Sequence, residues 1–410
     1  MPSKVLDIDL ADGPPADIEG LTSYDKAFVL LRWHGRPIGR VLANLIDGRI
    51  AGTDLLRAAS LELGKRLVLA SLEDLQYASE NGATESSLPS CSIVVCTRDR
   101  VGDLQRCIEA LCVSASKNNN IEIIIVDNAP PNDGTAKLAA KYPVRYVCEE
   151  RQGLNWARRR GALEALNEVV IYTDDDVIVD PLWVEAMRRP FVDPGISAVT
   201  GLILPMELET LAQEYFESHF SFCLGFERNE FKIPDVMAVM NGDVGVGASM
   251  AIRRSIINGL KLFDFEMDCG TITRSGGDTH AFYLLLSHGC RILYNPEALC
   301  WHRHRREIYE LERTLFGYGT GFFVHLLRCL LQHGEMESLY AGYFIYKYWL
   351  EKLWNGLRGD PLEPPPNIMI QFIKGSLHAP WAYIIGRHRE RAYLGGSGPA
   401  KAEGFCGSRN

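Results

Sequence analysis

The alternation of apolar and polar positions changes character near residue 90. Beyond it, short β-rich runs alternate with amphipathic stretches. "CSIVVCT" (91–97), "IEIIIVDN" (121–128), "VRYVCEE" (144–150) and "EVVIYTDDD" (168–176) read as strands. Between them, "VGDLQRCIEALCVSA" (101–115), "GTAKLAAKY" (134–142) and "GLNWARRRGALEAL" (153–166) carry helical spacing. Strands and helices alternating at this interval predict an α/β fold, a mostly parallel sheet with helices on both faces. The strand runs are almost continuously apolar, as strands covered on both faces must be.

Upstream the pattern is different. Residues 1–20 are acidic, carry Pro and Gly, and read as a loose tail. "KAFVLLRWHGRPIGRVLANLI" (26–46) predicts a strand, a turn at Gly35 and Pro37, then a second strand or a helix. "TDLLRAASLELGKRLVLASLEDLQ" (53–76) predicts a helix with Thr53 as its N-cap. These form a small N-terminal module, followed by the polar linker "ENGATESSLPS" (80–90). Downstream, "LFGYGTGFFVHLLRCLLQHG" (315–334), "LYAGYFIYKYWLEKLWNGLRG" (339–359) and "IMIQFIKGSLHAPWAYIIGRHRERAYLGG" (368–396) are aromatic-rich and helical in pattern. The layout is a module and linker over 1–88, an α/β domain over 89–310 and a helical region over 311–410. The last helices either pack on the α/β domain or lie on a membrane surface, where their aromatics and Arg387, Arg389 and Arg391 would suit an interface.

Open α/β sheets bind ligands beyond the carboxyl ends of their strands. Polar clusters stand at all four such ends: Thr97-Arg98-Asp99, Asp127-Asn128, Glu149-Glu150 and Asp174-Asp175-Asp176. Adjacent carboxylates repel one another unless a positive charge compensates them. A divalent hard cation is the usual answer, its shell completed by phosphate oxygens and water. An acidic turn or N-cap would give the same triplet. Two further features favour the cation. His302 and His304, in "YNPEALCWHRHRRE" (294–307), supply an imidazole that suits Mn2+. In "TRSGGDTHAFYLLLSHG" (273–289), Asp278 follows two glycines at a helix start, where it can act as general base, N-cap or both. "NGDVGVGASMAIRRS" (241–255) reads as a strand in close backbone approach, or a β-bulge, with Asp243 its only chemical candidate.

Composition bounds the rest. The 410 residues suffice for two or three domains, with 47% apolar and 23% charged residues typical of globular chains. A formal net charge of -9 argues against a nucleic-acid partner held by field alone. Eleven cysteines without a C-x-x-C pair read as buried apolar residues of a reducing compartment. The N-terminus lacks a charged-then-apolar signal pattern, and no uninterrupted apolar run reaches about 18 residues, so neither a signal peptide nor a spanning helix is expected. The expected address is cytoplasmic.

The blocks "SIVVCTRDR", "IIIVDNAP", "GLNWARRRGA", "YTDDDV", "GVGASMAIRRS", "RSGGDTHAFY" and "CWHRHRRE" occur in the order seen in family 2 glycosyltransferases, and residues 90–310 resemble that family. The resemblance implies a GT-A fold with a Rossmann-like mixed, mostly parallel sheet, a nucleotide-diphosphate sugar donor such as a UDP-sugar, a divalent metal (Mn2+ or Mg2+) and inversion at the anomeric carbon. It assigns Thr97, Arg98 and Asp99 to the nucleotide, Asp127 to its base, and Gly153, Asn155 and Arg158 to the adjoining loop and helix. Asp174 and Asp176 match the D-x-D motif beside Asp175, with Asp176 and His302 as metal ligands and Asp278 as catalytic base. Arg158 or Arg159 would stand near the leaving group. Gly277 replaces the acid that often precedes the base, and His280 stands where a second Asp is common. No Q-x-x-R-W pattern follows the histidines, which favours single-sugar transfer over polymer extrusion. The implied role is bacterial polysaccharide or glycoconjugate assembly in the cell envelope, on a sugar, lipid-linked or peptide acceptor, in the cytoplasm or peripherally at the inner membrane face. A sugar-phosphate nucleotidyltransferase would need a Gly-rich triphosphate loop after the first strand, which "CTRDRVGDL" does not supply. A non-catalytic scaffold would be expected to have lost one of Asp174, Asp176, Asp278 or His302, and all four are present.

Overall fold

The computed structural model describes residues 2–77, 88–116, 120–233, 239, 242–360 and 363–394. Most of the linker read at 80–90 lies outside them, as does Asn241. The four β-rich runs fold as β4 (Cys91–Thr97), β5 (Ile121–Asn128), β6 (Arg145–Glu149) and β7 (Val169–Asp174). The helices between them are α2 (Val101–Ala115), α3 (Gly134–Ala139) and α4 (Leu154–Glu164). Then come β8 (Val177–Val179), α5 (Trp183–Arg188), β9 (Ile196–Pro205), α6 (Leu211–Phe220), β10 (Asn229–Phe231), β11 (Ser249–Arg253), α7 (Arg254–Leu260), α8 (Gly277–Ser287) and β12 (Arg291–His302). These strands form one nine-stranded sheet in the order β10-β12-β9-β11-β7-β4-β5-β6, with β8 also paired to β12.

The expected α/β fold is present, with a difference in strand direction. β7, β4, β5 and β6 are parallel neighbours. On the other side β11 runs antiparallel to both β7 and β9, and β12 is parallel to β9 but antiparallel to β8 and β10. The sheet is therefore evenly mixed. The parallel register has a direct consequence. Thr97 pairs with Asp127, Asn128 with Glu149, and Cys96 with Asp174, so the polar strand ends share one rim.

Strand residues alternate between two cores. Val94, Val126, Val170 and Tyr172 face α4 and α8, whereas Ile93, Val95, Ile125 and Ile171 face α2 and α5. Burial of both faces explains the unbroken apolar runs.

The N-terminal residues are not a tail. Ser3–Asp9 forms β1, parallel to β2 (Lys26–Trp33), and β2 forms a hairpin with β3 (Arg36–Asn44). The acidic residues have local work there. Asp7 accepts hydrogen bonds from Arg32, and Asp9 from the backbone N–H groups of His34 and Gly35 in the turn. Helix α1 (Gly52–Tyr77) begins one residue before Thr53, and Asp17 accepts the Gly52 N–H at 2.8 Å. β2 alternates too. Ala27, Val29 and Leu31 pack with Leu55, Ala59 and Leu63 of α1, whereas Phe28 and Leu30 enter the core of the large sheet. The module is docked through Arg32–Asp180 (2.7 Å) and Arg40–Glu217 (2.6 Å).

The C-terminal helices are α9 (Ile308–His333), α10 (Glu337–Leu357) and α11 (Pro366–Leu394). α9 and α11 touch backbone to backbone. A Cβ at Gly319 would lie 2.1 Å from the Phe372 carbonyl oxygen, and one at Gly375 would lie 2.1 Å from that of Phe316. Among the described residues, α9 alone is long and apolar enough to cross a bilayer by length and composition, but it is largely buried in the protein. No disulfide links the described cysteines.

Candidate active site

The rim where the parallel strands end opens into a hollow of about 1000 Å³. Thr97, Arg98, Arg158, Asp174, Asp175, Asp176, His302 and Asp278 all line it. Residues from β4, α4, β7, α8 and β12, from Thr97 to His302 in sequence, thus meet in one cleft.

Three buried carboxylates cannot all ionise side by side without compensation. Burial pushes Asp174 up to about 7, against the pull of Arg158, and Asp175 up to about 6, against Arg100. Asp176 goes the other way. Burial opposes its ionisation, but His302 when protonated, and Arg100 and Arg305 at any pH, hold its carboxyl below the usual range. Arg100 Nη1 lies 3.0 Å from both Asp175 Oδ1 and Asp176 Oδ2, and Arg305 Nη1 lies 3.4 Å from Asp176 Oδ2. Thr97 Oγ1 donates to Asp175 Oδ2 at 2.7 Å, which ties β4 to β7 at the rim.

The structure distinguishes the two late histidines. His302 Nε2 lies 3.4 Å from Asp176 Oδ1. Both atoms can contact one divalent cation at roughly 2.1 Å, and a carboxylate with an imidazole is a donor set suited to Mn2+. Burial pulls His302 down to about 4, so its ring is neutral at physiological pH, the form that ligates. His304 turns away from Asp176. Its Nδ1 is 3.1 Å from His302 Nδ1 and its Nε2 is 3.3 Å from Glu217 Oε2, while Glu217 Oε1 receives Arg40 of the N-terminal module. Arg40, Glu217 and His304 thus form a line that ends on the imidazole facing Asp176.

Asp278 sits in the first turn of α8, after Gly276 in a left-handed conformation with φ of 89°. Its Oδ1 accepts the Thr279 N–H and its Oδ2 accepts the Gly247 N–H at 2.7 Å, so the carboxylate is held in place within the hollow. The glycine-rich segment is a loop up to Ser249 rather than a strand. A Cβ at Gly247 would collide with Arg158 and crowd Asp278, which is the close approach expected there. Asp243 is exposed and does not line the hollow.

The remaining positions divide. Asp99 lies exposed on the rim, held by Asn132. Asp127 is fully buried below it. Its Oδ2 accepts from Tyr146, its Oδ1 has no partner, and burial raises its carboxyl above the ordinary range. Gly153, with φ of 141°, donates its N–H to Asn128 Oδ1 between the lining residues Gln152 and Leu154. Asn155 departs from its expected role. It is buried outside the hollow, donating to the Asp264 carbonyl and accepting from Arg158, so it braces the site instead of lining it. Arg159 lies over the Phe265 ring and is not a lining residue.

Sequence reasoning missed Arg100, Arg305, Asp268, Glu217 and Arg40. The two arginines lie inside quoted blocks, where the number of nearby acids was the available signal. Asp268 pairs with Arg158 at 2.6 Å from 110 residues away, and Arg40 with Glu217 across 177 residues, so no local pattern marks them.

The pattern of Glycosyl transferase family 2 matches residues 92–260. A pre-mycofactocin glycosyltransferase of Mycobacterium tuberculosis is 26% identical over 283 residues, 67% of this chain and 54% of its own length. The chain therefore spans about half the length of that relative. Glycosyltransferase AglE of Haloferax volcanii is 24% identical over 243 residues, covering 58% of this chain and 74% of its own. A glucosyl-dolichyl phosphate glucuronosyltransferase of the same organism is 22% identical over 297 residues, covering 69% and 91%. Among solved structures, the mannosyltransferase PcManGT from Pyrobaculum calidifontis, in complex with GDP-Man and Mn2+, aligns with a TM-score of 0.46 at 16% identity, covering 81% of this chain and 83% of its own.

The Arg158–Asp268 pair is nearly fully enclosed, with side-chain exposures of 4% and 8%. Removing one partner of such a pair leaves a buried charge uncompensated. Asp268→Ala is expected to destabilise the protein by about 3–5 kcal/mol in urea denaturation. The triplet, Arg100 and Arg158 all lie within residues 92–260, the segment that is similar to Glycosyl transferase family 2.

Proposed function

We propose that the protein is an inverting, metal-dependent glycosyltransferase that moves one sugar from a nucleotide-diphosphate sugar to an acceptor hydroxyl. The observation that carries this reading is the placement of Asp176, His302 and Asp278 around one hollow. A divalent cation held by Asp176 and His302 would supply electrostatic stabilisation of the diphosphate leaving group. The chain's own residues account for the rest. Asp127, with an unpartnered oxygen at the end of β5, lies beneath the lining residues Thr97 and Asn128 and would accept an N–H of the nucleotide base only once the side chains covering it move aside. Thr97, Arg98 and Asp99 border the same strand ends, where the nucleoside would lie. Arg100 and Arg305, now spread over Asp175 and Asp176, are the cations available to the phosphates. Asp278 takes the proton of the acceptor hydroxyl as that oxygen bonds to the anomeric carbon, while the bond from that carbon to the diphosphate breaks on the opposite face.

The acceptor enters from the C-terminal helices. Tyr318, Ile345, Trp349 and Phe372 line the same hollow as Asp278. The outer side of these helices is apolar and exposed. Tyr343 and Trp354 on α10 are 62% and 56% exposed, and Trp381 on α11 is 54% exposed, with Leu350, Leu377 and Ile384 beside them. Lys374 and Arg391 fall on the same exposed face of α11 as Trp381. Aromatic residues interleaved with cations suit the interface of an anionic bilayer. The reading is of peripheral contact with the inner membrane face, where a lipid-linked acceptor in polysaccharide or glycoconjugate assembly would lie. The Haloferax relative named for glucosyl-dolichyl phosphate is consistent with that class.

Asp278→Asn is expected to fold and bind donor but to lose transfer by roughly 10²–10⁴-fold, measured as nucleoside diphosphate release with acceptor present. Turnover at the wild-type level would remove Asp278 as base. A chelator should abolish transfer, and added Mn2+ or Mg2+ should restore it; full activity in chelator would contradict the metal reading. Wild-type protein is expected to float with phosphatidylglycerol-containing vesicles, and Trp354→Ala/Trp381→Ala to float less. Wild type left wholly in the soluble fraction would end the membrane reading.

A further inference from the structure

A second group of metal-binding side chains lies outside the hollow, between α8 and α9. His280 projects from the second turn of α8, and His325 and Cys329 from α9. His325 and Cys329 are four residues apart and so share one face of their helix. His325 and Cys329 are completely buried, and His280 is 4% exposed. His280 Nδ1 lies 3.3 Å from His325 Nδ1, and Cys329 Sγ lies 3.7 Å from the His325 ring nitrogens. The three ligand atoms lie within 4.8 Å of one another.

Those separations have a chemical meaning. Tetrahedral zinc takes nitrogen at about 2.0–2.1 Å and sulfur at about 2.3 Å, which sets ligand atoms roughly 3.4 Å (N to N) and 3.6 Å (N to S) apart. The observed 3.3 and 3.7 Å match two of the three separations, and the third, His280 to Cys329 Sγ, is no more than 4.8 Å. The donor set also selects the ion. One thiol and two imidazoles suit a borderline-soft cation, not the hard Mg2+ that carboxylates hold. Tyr283 and His333 pack beside His280, with ring centres 5.9 and 6.0 Å away, and the Tyr283 hydroxyl donates to Glu335. An anionic group therefore stands just outside the cluster. His280 occupies the position where the family resemblance anticipated an acid, and here that side chain faces the helix interface and not the hollow.

We propose that His280, His325 and Cys329 bind one Zn2+ ion that staples α8 to α9. Asp278 lies two residues before His280 on α8, so the ion would fix the helix that carries the proposed base. The proposal stands independently of the sugar-transfer reading, because it concerns ion content and not turnover. The test uses the full chain carrying Asp176→Asn, which weakens the cation position in the hollow and leaves the buried cluster intact. This protein, expressed with added zinc and desalted, is expected to retain one zinc per chain by elemental analysis. X-ray absorption should show a sulfur scatterer near 2.3 Å and nitrogen scatterers near 2.0 Å. Cys329→Ala and His280→Ala, each checked for folding by circular dichroism, should lose the ion and the sulfur shell. No retained zinc in the Asp176→Asn protein, or a shell of oxygen alone, would overturn the site, and neither measurement requires a variant of the cluster to fold. Zinc retained in full by a folded Cys329→Ala protein would overturn it as well.

Discussion

Charge compensation at the end of β7 is the constraint around which the fold is arranged. Three consecutive carboxylates at the tip of a buried strand are tolerable only because cations converge on them from distant parts of the chain. Arg158 comes from α4, Arg100 from the turn after β4, and Arg305 from the segment after β12. The compensation is uneven, and the unevenness divides the triplet. Asp174 and Asp175 are raised toward neutrality, whereas Asp176 is held ionised. Of the three, Asp176 is the one that faces an imidazole, so the most available negative charge and the neutral nitrogen donor stand side by side.

The same constraint gives the N-terminal module a structural reason. His302 can present Nε2 to Asp176 only if its other nitrogen is managed, and that nitrogen faces His304. His304 in turn rests on Glu217, and Glu217 on Arg40 from β3. A ligand's orientation is commonly set by the partner of its second nitrogen. Here that line of partners runs out of the α/β domain into the accessory sheet. Phe28 and Leu30 from the neighbouring β2 are buried in the main core, so the line is anchored by packing as well as by charge.

Legibility in the sequence followed contact range. The β4–α2–β5–α3–β6–α4–β7 stretch was readable because strands and helices alternate at regular short intervals and the strands are apolar on both faces. The strand-end carboxylates were readable because strand period and topology place them on one rim. β1 was missed because its acids suggested a solvated tail, when they in fact bind Arg32 and the hairpin turn. β9 to β12 were less legible because their pairings change direction and no regular strand–helix alternation joins them. Asn155 matched a family block, but a motif does not say whether an amide faces the ligand or the scaffold. Asp268 and Glu217 left no local trace, since their ion-pair partners Arg158, Arg40 and His304 lie more than 80 residues away.

The C-terminal helices join two requirements that are usually met by separate parts of a protein. Their inner side completes the hollow with Tyr318, Trp349 and Phe372, and their outer side exposes Tyr343, Trp354 and Trp381. Gly319 and Gly375 let α9 and α11 approach backbone to backbone, which leaves no room between these helices for anything larger than hydrogen at those positions. A layer that tight transmits position poorly through side-chain rearrangement and well as a rigid unit. Contact made at its outer aromatic face would therefore set where the inner wall stands relative to Asp278. In the proposed reaction, the same rigid layer would also set the distance between an acceptor hydroxyl and Asp278, the proposed base.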